Sequence, residues 1–454
     1  MELAIILVFI LGYILIATEH SIKIDKAATA LFIGVSCWTL LVLGIKQVPT
    51  AFVEEFENWK LANPDNTLGL KGYFEHQLSH HIQEIASILL FLMGAMTIVE
   101  IIDAHNGFQV ITDKITSKKK VVLLWTISIL TFFLSAALDN LTTAIVMVSL
   151  LRKIIPDKET RWMFGGIVVI AANAGGAWSP IGDVTTTMLW IGGQVTSAAI
   201  IQNIFIPSLI SLFVPLTILS FVLKGNIEKF ENSNSSQTAI LKKEQNVALL
   251  LGLGGLLMVP VFKSVTHLPP FMGIMLSLGI LWMATELMHG RKLDDEKSRF
   301  SALSALRKID MPSVLFFLGI LLAVGALQEM GTLIQASTWL KDTFNNPYTI
   351  NMIIGVLSAI IDNVPLVAAS MGMYPIAEAT QDPWLQHFVQ DGVFWEFLAY
   401  CAGTGGSILI IGSAAGVAVM GLEKITFSWY LKKISPWALL GYLSGGVFYI
   451  LMHA

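Results

Sequence analysis

The chain has 454 residues, of which 55% are hydrophobic and only 13% are charged, and its formal net charge is −4. Soluble globular domains carry about 25% charged residues, so the composition excludes a soluble protein, and the small net charge does not indicate nucleic-acid binding. The apolar segments have the ~20-residue length of membrane-spanning helices rather than the ~10-residue alternation of barrel strands. We therefore predict an all-α polytopic protein of the lipid bilayer.

Ten apolar runs predict full membrane spans. They lie near residues 3–17, 27–45, 84–103, 162–193, 197–223, 246–262, 270–289, 311–330, 393–421 and 436–452. The two cysteines, Cys37 and Cys401, both fall inside such runs. We therefore expect no disulfide framework, no metal cluster and no cofactor.

Two further apolar runs, residues 121–151 and 348–376, do not fit this scheme. The first would form a helix of about 46 Å at ~1.5 Å per residue, which is too long for a hydrocarbon core of about 30 Å. Basic residues at 118–120 precede it, and others at 152–153 follow it. Because basic residues mark the cytoplasmic side, both ends are expected there, and we predict a re-entrant helical hairpin. The second run has no basic residue close to either end, which favours a hairpin entered from outside.

The distribution of basic residues supports this topology. All but five of the 28 lysines and arginines fall in loops that the scheme places in the cytoplasm. This bias predicts that both termini are external, or periplasmic in a bacterium. The five exceptions are Lys46, Lys60, Lys71, Lys263 and Lys341.

The second half of the chain repeats motifs of the first half in the same order. The matching stretches are FLMG at 91–94 with FFLG at 316–319, LSAALDN at 134–140 with LSAIIDN at 357–363, and NAGGAWSPIGD at 173–183 with GTGGSILIIGS at 403–413. Each half contains an odd number of predicted crossings, so the two repeats must be inverted in the membrane. We predict a first repeat at 1–223, a polar cytoplasmic linker at 224–245 and a second repeat at 246–454. Inverted repeats are typical of secondary transporters, whose sites lie near the midplane at broken helices.

The third pair of matching stretches interrupts the spans 162–193 and 393–421 with glycines. An interrupted helix frees backbone carbonyls, which membrane depth tolerates only where they are buried in protein or face a watery cavity. A hairpin tip and a broken helix in each repeat then provide two clusters of oxygen atoms. The carboxylates Asp139, Asp183 and Asp362 have no Lys or Arg partner inside the predicted spans. Such groups suit a small hard cation or a proton, and protons and cations can compete for a carboxylate in a low-dielectric site.

Other polar residues are candidates for a supporting role or a proton path. The supporting candidates are Ser135, Thr142, Thr143, Ser358, Thr404, Ser407 and Ser413. Glu396 is embedded in a span, and the pair His80 and Glu84 lies near the external surface; these three are candidates for a proton path.

Simpler roles remain open for several of these residues. An Asp or Asn at a helix start is a common N-cap, so Asp139 or Asp362 can serve merely to cap the second arm of its hairpin. The glycines of GSAAG (412–416) form a GxxxG pattern that allows close helix packing. His80 and Glu84 lie one helical turn apart, and an interfacial cap or a metal site are both open, although the HExxH order of zinc proteases is absent.

Four stretches together resemble the NhaD sodium/proton antiporters. They are HHIQEIASILLFLMGAMTIVEIIDAHNGF at 80–108, SAALDNLTTAIVM at 135–147, ANAGGAWSPIGDVTTTMLW at 172–190 and SAIIDNVPLVAA at 358–369. That family belongs to the ion transporter superfamily, with arsenite permeases and divalent-anion/sodium symporters. The resemblance implies a homodimer in the bacterial inner membrane that exchanges Na⁺, often also Li⁺, for H⁺. It further implies a dimerising scaffold domain and a transport domain that moves like an elevator.

The family motifs also imply which residues bind ions. The residues that carry over are Asp139, Asn140, Asn173, Asp183, Thr185, Thr186, Asp362 and Asn363. Symporter relatives have Ser-Asn-Thr at the hairpin tips, whereas this chain has an aspartate at the serine position, which argues against a dicarboxylate substrate. The repeats are not equivalent, because Asp183 has Ser413 as its counterpart. We therefore expect Na⁺ or Li⁺ in the first repeat, at Asp139, Asn140 and Asp183.

The sequence thus predicts a secondary active transporter, not an enzyme, that exchanges cytoplasmic Na⁺ for external H⁺ by alternating access. One alternative is a sodium-coupled anion or arsenite-type permease of the same fold, which needs an anion-attracting group at the midplane. A second alternative is an intramembrane aspartyl enzyme, in which Asp139 and Asp362 would have to share one proton although they occupy opposite hairpin tips.

Overall fold

The computed structural model consists of helices and connecting loops. It describes residues 2–44, 48–49, 52–64, 69–113, 115, 117–223, 225–227, 241–289, 300–378 and 381–453. Most of the predicted linker, residues 224 and 228–240, lies outside these described residues.

The helices before the linker are α1 (Glu2–Ala17), α2 (Glu19–Ile22), α3 (Lys26–Gly44), α4 (Val53–Ala62), α5 (Leu70–Ala104), α6 (Gln109–Thr112), α7 (Lys120–Leu138), α8 (Asn140–Ile154), α9 (Lys158–Ala177), α10 (Val184–Ile191) and α11 (Ser197–Val222). Those after it are α12 (Lys242–Thr266), α13 (Pro270–His289), α14 (Ala302–Leu306), α15 (Met311–Glu329), α16 (Thr332–Phe344), α17 (Pro347–Ser358), α18 (Asn363–Met373), α19 (Val393–Gly405), α20 (Ala414–Glu423), α21 (Phe427–Lys433) and α22 (Ser435–His453). A 3₁₀ turn at Leu385–Phe388 precedes α19.

Eight of the described helices are long and apolar enough to cross a membrane: α3, α5, α7, α11, α12, α13, α15 and α22. The chain is therefore a multi-pass membrane protein. The other predicted spans are α1 and the two interrupted spans, which consist of α9 with α10 and of α19 with α20. Helix α7, which we expect to be one arm of a hairpin, has 19 residues and is itself long enough to cross.

Each predicted span coincides with one helix or, in the two interrupted spans, with two helices, but α5 is longer than its apolar run suggests. It begins at Leu70, whereas hydropathy places its start near residue 84. Its first turns are amphipathic, with Phe74, Gln77 and His81 on the buried side and polar residues elsewhere. A helix with one apolar stripe has low mean hydropathy, and a hydropathy pattern therefore misses it.

The first of two compact units comprises Met1–Leu90, Asp310–Pro347 and Val364–Ile376. Its main contact is the packing of α3 against α15. Small residues let these backbones approach closely: a Cβ added at Gly34 would lie 2.5 Å from the carbonyl oxygen of Gly319. Trp38 Nε1 also donates a hydrogen bond to the Leu322 carbonyl oxygen at 2.8 Å. This unit is thus built around one tightly packed helix pair.

The second unit comprises Phe91–Ile309, Tyr348–Asn363 and Ala377–Ala454. It contains α7, α8 and both interrupted spans. Helix α9 lies at its centre and packs against α7, α8, α11, α19 and α20. The buried polar group around Asp183, described below, belongs to this unit.

Helices α7 and α8 form a helical hairpin. A single residue, Asp139, separates them, with φ of 106° and ψ of 159°, a conformation that residues other than glycine rarely adopt. At the opposite end, Lys120 Nζ donates to Thr160 Oγ1 at 3.2 Å, and Arg161 donates to the Ile155 carbonyl oxygen at 3.0 Å. The start of α7 and the end of α8 therefore both lie at the start of α9.

Candidate functional site

Asp183 lies at the centre of a buried group of polar side chains. It precedes α10 and caps it, with Oδ1 accepting the Thr185 backbone N–H at 3.2 Å. Oδ2 accepts the side-chain amide of Asn140 at 3.0 Å and that of Asn363 at 3.2 Å. Asp183 is only 2% exposed. One carboxylate thus joins the asparagines of both Asp-Asn pairs.

A line of amide and hydroxyl groups continues from Asn140 to the second interrupted span. Asn140 Nδ2 also donates to Asn173 Oδ1 at 3.1 Å. Asn173 Nδ2 donates to Ser413 Oγ at 2.9 Å, and this hydroxyl accepts the Gly416 N–H and caps α20. Asn140, Asn173 and Ser413 are all buried. The structure therefore brings five predicted residues into one hydrogen-bonded group, which also includes Asp183 and Asn363.

The two aspartates of the Asp-Asn pairs lie beside this group. Asp139 Oδ1 accepts the Thr142 N–H, and Oδ2 accepts the Thr142 hydroxyl, each at 2.8 Å. Asp139 therefore caps α8, as the simpler of its two roles requires. Asp139 and Asp362 both lie within electrostatic range of Asp183. The region thus concentrates carboxyl groups, and the hydrogen bonds that the structure shows on Asp183 come from amides.

Both C-terminal and N-terminal helix ends lie at this site. Helices α9 and α19 end here, and their last carbonyls carry a partial negative charge that favours a cation. Gly403 of α19 is close enough that an added Cβ would lie 3.7 Å from Asp183 Oδ2. Helix α10 begins here, and its N-terminal N–H groups stabilise the negative charge of Asp183. The arrangement combines a stabilised carboxylate with carbonyl oxygens, which are ligands for a hard cation.

The matching sequence stretches make similar contacts around the site. Ser135 Oγ of α7 donates to a backbone carbonyl of α9 at 2.6 Å, and Ser358 Oγ of α17 donates to a backbone carbonyl of α19 at 2.8 Å. A Cβ added at Gly182 would lie 2.9 Å from the Ser135 carbonyl oxygen, and one at Gly412 would lie 2.7 Å from that of Ser358. The glycines thus serve close backbone packing, as the simpler reading of GSAAG requires.

The remaining candidate hydroxyls differ in their contacts. Thr186, Thr404 and Ser407 donate to backbone carbonyls three or four residues earlier, at 2.9, 2.6 and 2.5 Å. They stabilise the local backbone. Thr143 Oγ1 and Thr185 Oγ1 are buried and have no hydrogen-bond partner among the described residues. These two oxygens can accept a ligand.

The candidates for a proton path occupy different environments. Glu396 of α19 is 1% exposed and accepts hydrogen bonds from Asn203 Nδ2 at 2.8 Å and from Tyr449 OH at 2.9 Å. His80 Nδ1 and Glu84 Oε1 lie 3.8 Å apart, with side chains 60% and 63% exposed. Glu396 is therefore a buried, hydrogen-bonded carboxyl group, whereas His80 and Glu84 form a surface pair.

The neighbouring histidine, His81, is the buried one. Its Nε2 lies 2.9 Å from Glu329 Oε1 within the first unit. The motif HHIQE suggests His80 as the functional histidine. The structure instead buries His81, which lies on the same helix face as the buried residues 74, 77 and 85. The sequence signal that could have found His81 is the helical spacing of the apolar residues Phe74, Leu78 and Ile85 around it.

A multi-pass helical membrane protein, with interrupted helices that bury a carboxylate among amides, has the architecture of a secondary transporter. The model of the citrate transporter family (CitMHS) matches residues 13–390. The chain belongs to this family.

Sodium/proton antiporters are among its relatives. The chain is 44% identical to sodium/proton antiporter 1 of Arabidopsis thaliana, over 100% of this chain and 73% of that protein. It is 45% identical to sodium/proton antiporter 2 of the same plant, over 98% of this chain and 99% of that protein. It is 30% identical to the Na(+)/H(+) antiporter NhaD of Alkalimonas amylolytica, over 99% of this chain and 90% of that protein. The kinship with NhaD antiporters that the motifs predict is confirmed.

Among solved structures, the YdaH transporter of Alcanivorax borkumensis has a similar fold. The TM-score is 0.54 at 12% sequence identity, and the match covers 92% of this chain and 97% of that one. At this identity the similarity concerns the fold alone.

Proposed function

We propose that this protein exchanges cytoplasmic Na⁺, and also Li⁺, for external H⁺. The observation that carries the proposal is the buried Asp183 carboxylate, bonded by amides from both Asp-Asn pairs and lying near two further carboxylates. A proton or a small cation neutralises such a group, and only one of them can do so at a time. Competition of this kind, combined with alternating access, is sufficient for antiport.

The amides of Asn140 and Asn363 can follow the change of ligand on Asp183. Each amide carries an NH₂ donor and a carbonyl acceptor. With their NH₂ groups toward Asp183, they stabilise the carboxylate; with their carbonyl oxygens inward, the same side chains become oxygen ligands for Na⁺. The hydroxyl oxygens of Thr143 and Thr185 are available to complete the ligand set.

Protons reach the site, in this proposal, through buried carboxyl groups. Glu396 lies on α19, the helix that ends beside Asp183, and its buried position suits a relay. His80 and Glu84 are the proposed surface groups that capture external protons. Asp139 and Asp362 provide the remaining negative charge of the site.

The proposal includes an arrangement in the membrane. The α7–α8 hairpin enters and leaves on the cytoplasmic side, and residues 348–376 form its inverted counterpart, entered from outside. Both termini are then external, in the inner membrane if the host is a bacterium. The matching contacts of Ser135 and Ser358 support a duplicated unit. The homodimer and the elevator-like motion follow from the family resemblance alone.

A sodium-coupled carboxylate permease is the second candidate, because the matching family model is named for citrate transport. Such a permease needs a group that attracts an anion. The described hydrogen bonds at Asp183 show amides around a carboxylate instead, and this favours a cation.

Everted membrane vesicles from an antiporter-deficient bacterium separate the two functions. After respiration has acidified the vesicle interior, addition of Na⁺ or Li⁺ alone should dissipate the pH gradient if the protein is an antiporter. A permease should instead give Na⁺-dependent uptake of labelled citrate and no response to Na⁺ alone. That second pattern would refute the proposal.

A further inference from the structure

Glu423, the last residue of α20, lies between two arginines. Its Oε1 lies 2.7 Å from Arg152 Nε, and its Oε2 lies 2.6 Å from Arg161 Nε. The Glu423 side chain is 1% exposed, and that of Arg161 is 19% exposed. Arg152 also donates to the Leu422 carbonyl oxygen. The two arginines therefore bind both a side chain and a backbone carbonyl at the end of α20. We call Arg152, Arg161 and Glu423 the ion triad.

The triad joins the ends of three helices that also carry the site. Arg152 lies near the end of α8, Arg161 near the start of α9 and Glu423 at the end of α20. At their other ends, these helices carry Asn140, Asn173 and, immediately before α20, Ser413. The three helices pack against one another in pairs. At ~1.5 Å per residue, the triad lies about 15–18 Å along each helix from the site.

The hydrogen bonds at the site depend on the relative positions of these helices. Asn140 Nδ2 to Asn173 Oδ1, at 3.1 Å, connects α8 with α9, and Asn173 Nδ2 to Ser413 Oγ, at 2.9 Å, connects α9 with α20. A slide of one helix by a single residue, about 1.5 Å, would lengthen and misalign either bond, which weakens it. Contacts at the far ends that prevent such a slide also maintain the site.

We propose that Arg152, Arg161 and Glu423 are positioning residues for the ion site. They hold α8, α9 and α20 in the register that keeps Asn140, Asn173 and Ser413 in contact. This inference rests on the proposed function only for its transport readout, because the register itself can be measured without transport.

The triad predicts an unequal response to its substitutions. Glu423→Gln leaves two guanidinium groups facing each other without a carboxylate, whereas Arg161→Gln leaves the pair of Arg152 and Glu423 intact. The Glu423 and Arg161 side chains are largely buried, whereas that of Arg152 is 47% exposed. Removing the buried carboxylate alone is more harmful than removing the buried pair of Glu423 and Arg161. The double variant Arg161→Gln with Glu423→Gln should therefore be closer to the unmodified protein than Glu423→Gln alone.

Sodium titrations in everted vesicles, normalised to the amount of transporter, test this order. We expect Glu423→Gln to raise the half-maximal Na⁺ concentration roughly fivefold or more, Arg161→Gln to raise it less, and the double variant to recover part of the loss. Lys153→Gln, an exposed charge beside Arg152, is the matched control and should leave the value unchanged. A Glu423→Gln protein with an unchanged half-maximal Na⁺ concentration would overturn the positioning role, even if less of the protein were present.

Hydrogen–deuterium exchange of the purified protein provides a readout independent of Na⁺. Glu423→Gln should speed exchange at the starts of α8 and α20, next to Asn140 and Ser413, and Lys153→Gln should not. Unchanged exchange at both starts would overturn the inference. If the unmodified protein shows no response to Na⁺ while exchange changes as expected, the antiport proposal fails and the positioning role stands.

Discussion

Asn363 donates a hydrogen bond to Asp183 Oδ2 at 3.2 Å although 180 residues separate them in the chain. Asn140 reaches the same oxygen at 3.0 Å from the other Asp-Asn pair. The two Asp-Asn motifs therefore share one carboxylate instead of forming two separate sites. In the matching stretch 403–413, Ser413 stands where the first stretch has Asp183, and the Ser413 hydroxyl accepts a hydrogen bond from Asn173.

The first prediction concerns the charge of Asp183. Asp183→Asn keeps the size of the side chain and can still cap α10, but it removes the charge for which Na⁺ and H⁺ compete. We expect Na⁺- and Li⁺-induced dissipation of the pH gradient to fall at least about 100-fold, the loss expected if an interaction of about 2.7 kcal/mol is removed. Vesicle assays at equal transporter levels measure this change.

Asp157→Asn is the matched control for that substitution. Asp157 caps α9 by accepting the Thr160 N–H at 2.8 Å. The Thr160 hydroxyl and N–H hold the pKa of the Asp157 carboxyl below its usual value, so this group is charged at neutral pH, and Asp157→Asn also removes a charge. Antiport should persist in Asp157→Asn; equal loss in both variants would mean that Asp183 has no special role.

The second prediction concerns the two asparagines that bind Asp183. Asn140→Ala and Asn363→Ala each remove an amide whose carbonyl oxygen is, in our proposal, a ligand of bound Na⁺, an interaction with a charge of about 1.5–3 kcal/mol. We therefore expect the half-maximal Na⁺ concentration to rise about tenfold or more in each variant. The control is Asn63→Ala: the exposed Asn63 amide donates to the Trp59 carbonyl oxygen of the preceding helix, and its loss should leave the half-maximal Na⁺ concentration unchanged. A rise confined to Asn140→Ala would show that the second repeat does not contribute to the site.

The third prediction concerns pH. If Na⁺ and H⁺ compete for one carboxylate, acidification of the side from which Na⁺ binds must raise the half-maximal Na⁺ concentration. The rise approaches tenfold per pH unit once the group is mostly protonated, because each unit changes proton activity tenfold. Sodium titrations at several pH values, with the maximal rate followed separately, give this slope. A half-maximal concentration independent of pH would contradict competition at a shared site.

The fourth prediction separates the two roles of Asp139. Asn is as good an N-cap as Asp and tolerates positive φ, so Asp139→Asn should leave thermal stability nearly unchanged. Asp139→Ala loses the two contacts with Thr142 and should cost about 1 kcal/mol. We expect Asp139→Asn to reduce antiport more than about tenfold despite its stability, as a loss of more than ~1.4 kcal/mol of electrostatic interaction implies. Full antiport in Asp139→Asn would leave Asp139 with the cap role alone.

The fifth prediction concerns the close approach of the interrupted helices to their neighbours. A Cβ at Gly175 would collide with the backbone of Phe132, and one at Gly405 would collide with the backbone of Gly355. Backbone cannot move aside as a flexible side chain can, so Gly175→Ala and Gly405→Ala should each destabilise the protein by about 1–3 kcal/mol or more.

Fluorescence-detected size-exclusion chromatography after heating measures that loss. Gly254→Ala is the control, because a Cβ at this helical position would meet nothing within 4 Å and Ala favours the helix over Gly by about 1 kcal/mol. We expect Gly254→Ala to be at least as stable as the unmodified protein. Equal stability of Gly175→Ala would contradict the close packing of α9 against α7.

Much of the fold follows from local sequence properties. Apolar runs mark helices because membrane depth requires apolar side chains and internally bonded backbone. The interruptions after Ala177 and Gly405 follow from their glycines, and the recurrence of LSAALDN as LSAIIDN marks equivalent serines that make equivalent bonds. Amphipathic segments such as the start of α5 escape this reasoning, because their burial depends on one face rather than on the mean hydropathy.

The sequence by itself determined the class of protein, the apolar helices and the residue types of the candidate site. Tertiary structure alone decided that Asn363 meets Asp183, that Asp139 uses its carboxylate to cap α8, and that Glu423 lies between two arginines. The physical reason is that hydropathy and spacing report the environment of each segment separately. Contacts between residues 180 or more positions apart depend on which helix faces pack together, and that choice belongs to the whole chain.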